Sequence, residues 1–332
     1  MYIPPFTISS KAVNLVAEIS NRLGKLELVQ EKETQLHLRK VNRIKTIHSS
    51  LAIEGNTLSE EEVTDIINGK NIVAPLREIQ EVKNAIKVYD EFHNLNPFNE
   101  KDLLRAHGIM MMGLTDDAGK YRKGGVGVYS EKGVVHMAPP ASRVPELMGS
   151  LFEWTRTAKD NLLIRSCVFH YEFEFIHPFS DGNGRMGRLW QSLLLGQLNP
   201  IFSHLPVENM VYSNQQEYYD AIARSTKAGE CGPFIDFMLE EILKSLDEKV
   251  TNKVTNKVTK KVADKSEFKL LDAIKKHPQI TIRQLKDELR LSESGVKKII
   301  ARLTEKGMLK RVGSRKAGRW EIVNRSNTED LQ

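Results

Sequence analysis

Cysteine is scarce in this chain: 332 residues hold only Cys167 and Cys231, with no CxxC spacing. That excludes a disulfide framework and a cysteine-built zinc site. Long hydrophobic runs are missing too. No stretch approaches the ~18–20 apolar residues that span a bilayer. The opening MYIPPFTISSK lacks the basic-then-apolar pattern of a secretory leader, so no membrane contact and a reducing cytoplasm are expected. What remains is ordinary globular material, 40% hydrophobic and 28% charged, which excludes disordered and collagen-like chains. The length suggests about two domains.

The net charge of +6 conceals a split. Residues 250–332 carry 21 Lys and Arg against 10 Asp and Glu, whereas residues 1–249 carry 28 against 33. A basic tail behind a mildly acidic body brings nucleic acid into question as a partner.

Hydrophobic periodicity predicts helices from about Ala12 to His93. Val13, Val16, Ile19 and Leu23 follow helical spacing, as do Ile79, Val82, Ile86 and Tyr89. Ser59 and Glu62 read as a capping box, with Gly69 at the expected stop. Asn99 caps the next helix. The pattern then changes: YRKGGVGVYSEKGVVHMAPP reads as a β-hairpin turning at Glu131-Lys132-Gly133 and closed by Pro139-Pro140. Helices resume over 144–158, 162–175, 185–198, 215–226 and 233–246. A KVTN-like repeat at 249–262 follows; Thr and Asn are poor helix formers, so a strained helix and a flexible linker are both open there. Beyond it, the order helix, helix-turn-helix, hairpin resembles the winged-helix family.

The stretch His177-Pro-Phe-Ser-Asp-Gly-Asn-Gly-Arg-Met-Gly-Arg188 carries the most chemistry. Gly182, Asn183 and Gly184 let the backbone turn and bring N–H groups close to an anion. They lead into a helix, whose N-terminus also favours phosphate. Arg185 and Arg188, three apart, share a helix face, and guanidinium forks suit phosphate oxygens. Asp181 is a hard oxygen ligand suited to Mg²⁺ on phosphates, and His177 can be a neutral base. Base, metal ligand and anion cradle together point to phosphoryl-type transfer from a nucleotide. The P-loop pattern GxxxxGK(S/T) is not the one used.

These residues match the signature of the Fic family, HPFx(D/E)GNGRxxR, at each specified position, and the resemblance extends over most of residues 1–245. It implies a mainly α fold, a Fic-type helical core with a β-hairpin flap, followed here by a small winged helix-turn-helix domain. The expected divisions are 1–95, an N-terminal helical region; 96–248, the catalytic core; 249–265, a basic linker; and 266–325, the winged helix. The activity implied is protein adenylyltransfer, AMP moving from ATP to Tyr, Thr or Ser hydroxyls of a target or of the chain itself. Under the resemblance His177 deprotonates the hydroxyl and Asp181 holds Mg²⁺ between the α- and β-phosphates. Asn183 and nearby N–H groups receive the α-phosphate, Arg185 the β/γ-phosphates and Arg188 the γ-phosphate; Gly182, Gly184, Met186 and Gly187 complete the cradle. Phe179 is expected beneath the loop. Val134, Val135, His136 and Met137 are the flap, offering main-chain pairing to a target segment. Tyr218 and Tyr219 lie by adenosine, each alternatively core.

Ser50 and Glu54 are four apart on one helix face, with Gly55 as a stop. The pattern resembles the inhibitory motif (S/T)xxxE(G/N) of the same family. It implies that Glu54 pairs with Arg188 and withholds it from ATP; in some members the same glutamate also serves removal of AMP. In the basic domain, Lys297, Lys298 and Arg302 on the third helix, with Arg311, Arg315, Lys316 and Arg319 on the wing, are candidates for double-stranded DNA, against a protein-interaction surface as the alternative. Two other readings stand beside the transferase: a DNA-binding regulator whose Fic-like part is a sensor, and a transferase with another nucleotide donor. A homodimer is also open.

Overall fold

The computed structural model describes residues 2–27, 32–130, 133–204, 207–289, 291–305, 309–312 and 318–322. These fall into two compact units, 1–248 and 249–332.

In the first unit, α1 (Ser10–Glu27), α2 (Lys32–Ile53), α3 (Glu60–Ile67) and α4 (Leu76–Asp90) precede α5 (Glu100–Met110). Local chemistry sets these boundaries. Ser59 and Glu62 form the reciprocal capping box at α3, and Asn99 accepts from the Lys101 N–H at the start of α5. Gly69 follows α3 with φ 77°. The hairpin pairs β1 (Gly127–Ser130) antiparallel to β2 (Gly133–Met137); positions 131 and 132 of its turn lie outside the described residues. Its register slips by one residue between Val128 and Tyr129, passing over Val135, a bulge that adds twist.

Then come α6 (Val144–Thr157), α7 (Leu162–Ile176), α8 (Asn183–Leu198), α9 (Val207–Ser213), α10 (Gln215–Ala228) and α11 (Gly232–Lys276). Helices α7 and α8 are the buried axis of the unit. Leu163, Cys167, Phe169, Phe173 and Ile176 of α7 and Met186, Leu189, Trp190, Leu193 and Leu194 of α8 are all buried. A helix apolar around its whole circumference, as α7 is, belongs inside a protein, and the loop joining it to α8 keeps Ser180 exposed. Helix α8 begins at Asn183 rather than near Arg185, because Gly182 takes a left-handed conformation, φ 86°, and its carbonyl already accepts from the Met186 N–H.

Helix α11 runs well past the expected end near residue 246: its backbone stays helical through the KVTN-like repeat to Lys276, the helical alternative. In the second unit, α12 (Ile282–Leu289) and α13 (Glu293–Glu305) precede the antiparallel pair β3 (Leu309–Val312) and β4 (Arg319–Ile322). Leu270, Ile274, Leu285, Val296, Leu303, Leu309 and Trp320 form its core, and the Trp320 indole N–H donates to Ile280 O. Among the described residues, no helix is long and apolar enough to cross a membrane.

Candidate active site

The loop between α7 and α8 is held in one shape from within and from below. Asn183 is the internal clip. Its amide oxygen accepts from the Phe179 N–H and its amide N–H₂ donates to Phe179 O, both at 2.9 Å. The Asn183 side chain thus closes the loop, and the backbone N–H groups at the start of α8 have no intrahelical acceptor. Phe179 is fully buried beneath the loop, stacked on the His107 ring at 3.6 Å. His107 Nδ1 accepts from the Gly119 N–H, so its Nε2–H donates to Asp181 O at 3.0 Å. Burial pushes the His107 pKa down, which favours this neutral form. Gly182 has to be glycine: beyond its positive φ, a Cβ there would lie 2.8 Å from Met111 Sδ.

His177 is the C-cap of α7 and the one non-glycine residue with positive φ (50°) among those described, a backbone state that surrounding structure must enforce. Arg122 does so. Its guanidinium donates to His177 O at 2.7 Å, Ile176 O at 3.2 Å, Gly124 O at 2.8 Å and Pro139 O at 2.6 Å. The same four bonds tie both feet of the hairpin to the catalytic turn. The His177 Nδ1 lies 3.3 Å from Glu174 O. A carbonyl only accepts, so this bond assigns the proton of the neutral ring to Nδ1 and the basic lone pair to Nε2.

The two arginines are each 3% exposed and each already engaged. Arg185 bonds Asp181 Oδ1 at 2.9 Å and lies 3.8 Å from Glu81. Arg77, on α4, reaches the other Asp181 oxygen at 3.3 Å. Arg188 donates to Glu54 Oε1 at 2.8 Å and to Ser50 O at 2.9 Å. Burial works against the Arg188 charge, but Glu54, Tyr218 and Glu174 together more than offset it, so the guanidinium holds its proton more tightly than usual. Gly184 is the point of closest approach: a Cβ there would sit 2.5 Å from Glu54 Oε1. Gly55, with φ 90°, ends the last turn of the glutamate's helix.

Other candidates separate. Met186 is fully buried core, and a Cβ on Gly187 would meet Glu174 Oε1 at 2.7 Å. Tyr218 is 2% exposed and its hydroxyl bonds His170 Nε2 at 3.0 Å, whereas Tyr219 is 36% exposed. Only Tyr219 has a face to offer a nucleotide. In the flap, Val134 and His136 pair through the main chain with Tyr129 and Val128, and Met137 is exposed.

In the second unit, Lys297 pairs with Glu293 at 2.6 Å and Arg302 with the mostly buried Glu267 at 3.1 Å. Arg311 lies over the Trp320 ring at 4.9 Å. Lys298 and Arg319 are exposed; Arg315 and Lys316 lie outside the described residues.

Comparison with known proteins matches this geometry to related chains. The Fic/DOC family model matches residues 97–195, and a MarR family model matches residues 264–319. A solved Fic family protein from Desulfovibrio desulfuricans G20 is 40% identical, with each chain covered in full and a TM-score of 0.75. The protein adenylyltransferase Fic of Culex quinquefasciatus is 30% identical over 61% of this chain and 41% of its own length. A probable protein adenylyltransferase of Aquifex aeolicus is 34% identical over 31% of this chain and 29% of its own. The chain thus spans less than half the length of these two curated relatives.

Proposed function

Because the chain belongs to the Fic family, we propose that it is a protein adenylyltransferase held at rest by its own Glu54. The observation that carries this reading is the 2.8 Å pair between Glu54 and the buried Arg188. It lies at the head of α8, where the backbone N–H groups, Arg185 and Arg188 make a cradle for phosphates. A charge-assisted carboxylate–guanidinium hydrogen bond is stronger than a neutral one, and a carboxylate in that place repels a triphosphate as well as occupying its cation. ATP meeting this site has its γ-phosphate displaced and its α-phosphorus out of line for attack.

Once Glu54 withdraws, the α-phosphate faces the α8 amides and the outer phosphates take Arg185 and Arg188. A target hydroxyl, aligned by main-chain pairing with β2, gives its proton to His177 Nε2 as its oxygen bonds the α-phosphorus. The bond to the pyrophosphate oxygen breaks and pyrophosphate leaves. Positioning and charge stabilisation supply most of the acceleration, and the base about 10²–10⁴-fold. Asp181 fits Mg²⁺: it is one hard carboxylate, 40% exposed at the cradle's edge, and Mg²⁺ takes one or two carboxylates alongside substrate phosphates. Bound there, the ion would neutralise triphosphate charge.

The test is intact mass after incubation with Mg²⁺ and ATP. Glu54→Gly should gain roughly 329 Da, one AMP, and Glu54→Gly/His177→Ala should not. No gain in Glu54→Gly on itself or on lysate proteins would overturn the reading.

A second function sits beside the first. The MarR match and the excess of positive charge over residues 250–332 favour duplex DNA as partner of the second unit. Affinity that falls steeply with salt is expected; no binding at low salt would refute it.

A further inference from the structure

Glu174 is a buried acid that none of the roles above uses. It lies in the last turn of α7, three residues before His177, with its carboxylate 11% exposed. One oxygen, Oε1, has no hydrogen-bond partner among the described residues, an arrangement that is destabilising unless function retains it. The other oxygen stands 3.9 Å from His177 Nδ1. Glycine at 187 leaves the room that Oε1 occupies. The charged and titratable groups around it come from several segments: His170 of α7, 3.9 Å from Oε1, Arg188 of α8, Glu54 just past the end of α2 and Tyr218 of α10.

We propose that Glu174 is a positioning residue for His177: its main-chain carbonyl fixes the ring tautomer, and its carboxylate stabilises the imidazolium formed when Nε2 takes the hydroxyl proton. This rests on the adenylyltransferase reading and deepens it. The geometry is that of a base oriented by a neighbouring acceptor, the arrangement that keeps one ring nitrogen available and favours its charged form. The Glu174 carboxylate also couples the base to the brake. Burial pushes its pKa up, Arg188 pulls it down and Glu54 pushes it up again, leaving it at about 8. Withdrawal of Glu54 removes that last repulsion, so release of the brake shifts Glu174 toward the anion that supports an imidazolium.

The experiment compares Glu54→Gly with Glu54→Gly/Glu174→Gln, which keeps the side chain's shape and removes its charge. The His177 titration is followed by NMR, assigned with His177→Ala, and the pH profile of AMP transfer is recorded at saturating ATP. In this background, where the Glu54 charge no longer opposes ionisation of Glu174, Glu174→Gln should lower the His177 midpoint by up to about one pH unit, as loss of a nearby opposite charge does. It should reduce kcat about tenfold, within the range of general-base effects, while KM for ATP stays within about twofold. Glu174→Asp, keeping the charge, should recover part of both. An unchanged His177 midpoint overturns the proposal even where kcat falls, since a packing defect lowers rate without moving a titration. If Glu54→Gly transfers no AMP yet the midpoint still shifts, the activity assignment fails while the coupling of Glu174 to His177 stands.

Discussion

The catalytic loop and the wing of the second unit are both rich in arginine and glycine, but they use them differently. In the loop, the two arginines are buried and the ion pairs reach distant segments: Arg188 meets Glu54, just past the end of α2, and Asp181 meets Arg77 from α4. In the second unit, the described basic side chains are exposed, and several pair within their own helix or hairpin, as Lys297 does with Glu293 and Lys310 with Glu321. Exposed pairs contribute roughly 0–1 kcal/mol, whereas separating a buried pair leaves an uncompensated charge. Residue identity is therefore decisive in one region, and summed charge matters in the other.

That contrast can be broken by substitution. The largest effect belongs to His177→Ala, expected to lower AMP transfer of the Glu54→Gly protein by about 10²–10⁴-fold with its thermal midpoint little changed, read by initial rate and by calorimetry. Next is Arg122→Ala. It strips four carbonyls of a charged donor, each such bond contributing about 1.5–3 kcal/mol. A loss of more than about 3 kcal/mol in urea unfolding is expected, with weaker target modification because the hairpin loses its anchor.

A smaller, pH-dependent effect comes from Glu174→Gln. The folded pKa of Glu174, about 8, lies above the ordinary value for a free glutamate. The folded state therefore holds the extra proton between roughly pH 4.5 and 8, and the parent loses stability as pH rises through that window. Relative to the parent, the glutamine variant should gain in thermal midpoint as pH rises; a constant difference from pH 5 to 9 would contradict it. The smallest effect falls in the basic unit. Lys298→Ala should weaken duplex binding alike for all sequences and reduce the salt slope by about one. Arg302→Ala, which removes an ion pair of the mostly buried Glu267, should instead register mainly as lost stability of that unit.

Much of the fold was readable because its signals are local. Ser59 with Glu62, Asn99 before α5 and the change from helical spacing to valine-rich hairpin are all set within a few residues. The Glu54–Arg188 juxtaposition was accessible through resemblance, since 134 residues separate the partners. What was hidden depends on tertiary contact. The clip that the Asn183 side chain makes on Phe179 gave no signal, because a reciprocal amide pair needs the loop's three-dimensional turn. His107, Arg122, Glu81 and Glu174 gave no spacing signal, since each acts on a segment whose proximity only the fold creates. Tyr218 and Tyr219 were indistinguishable as neighbours in sequence; burial separates them. The length of α11 escaped because propensity is a weak prior that context overrides.

The central claim, that Glu54 restrains Arg188, is tested most directly by the initial rate of AMP incorporation at saturating Mg²⁺-ATP in the parent and in Glu54→Gly. The expected result is a rate at least about tenfold higher in the variant, a change of about 1.4 kcal/mol in the barrier. Equal rates in the two proteins would contradict it.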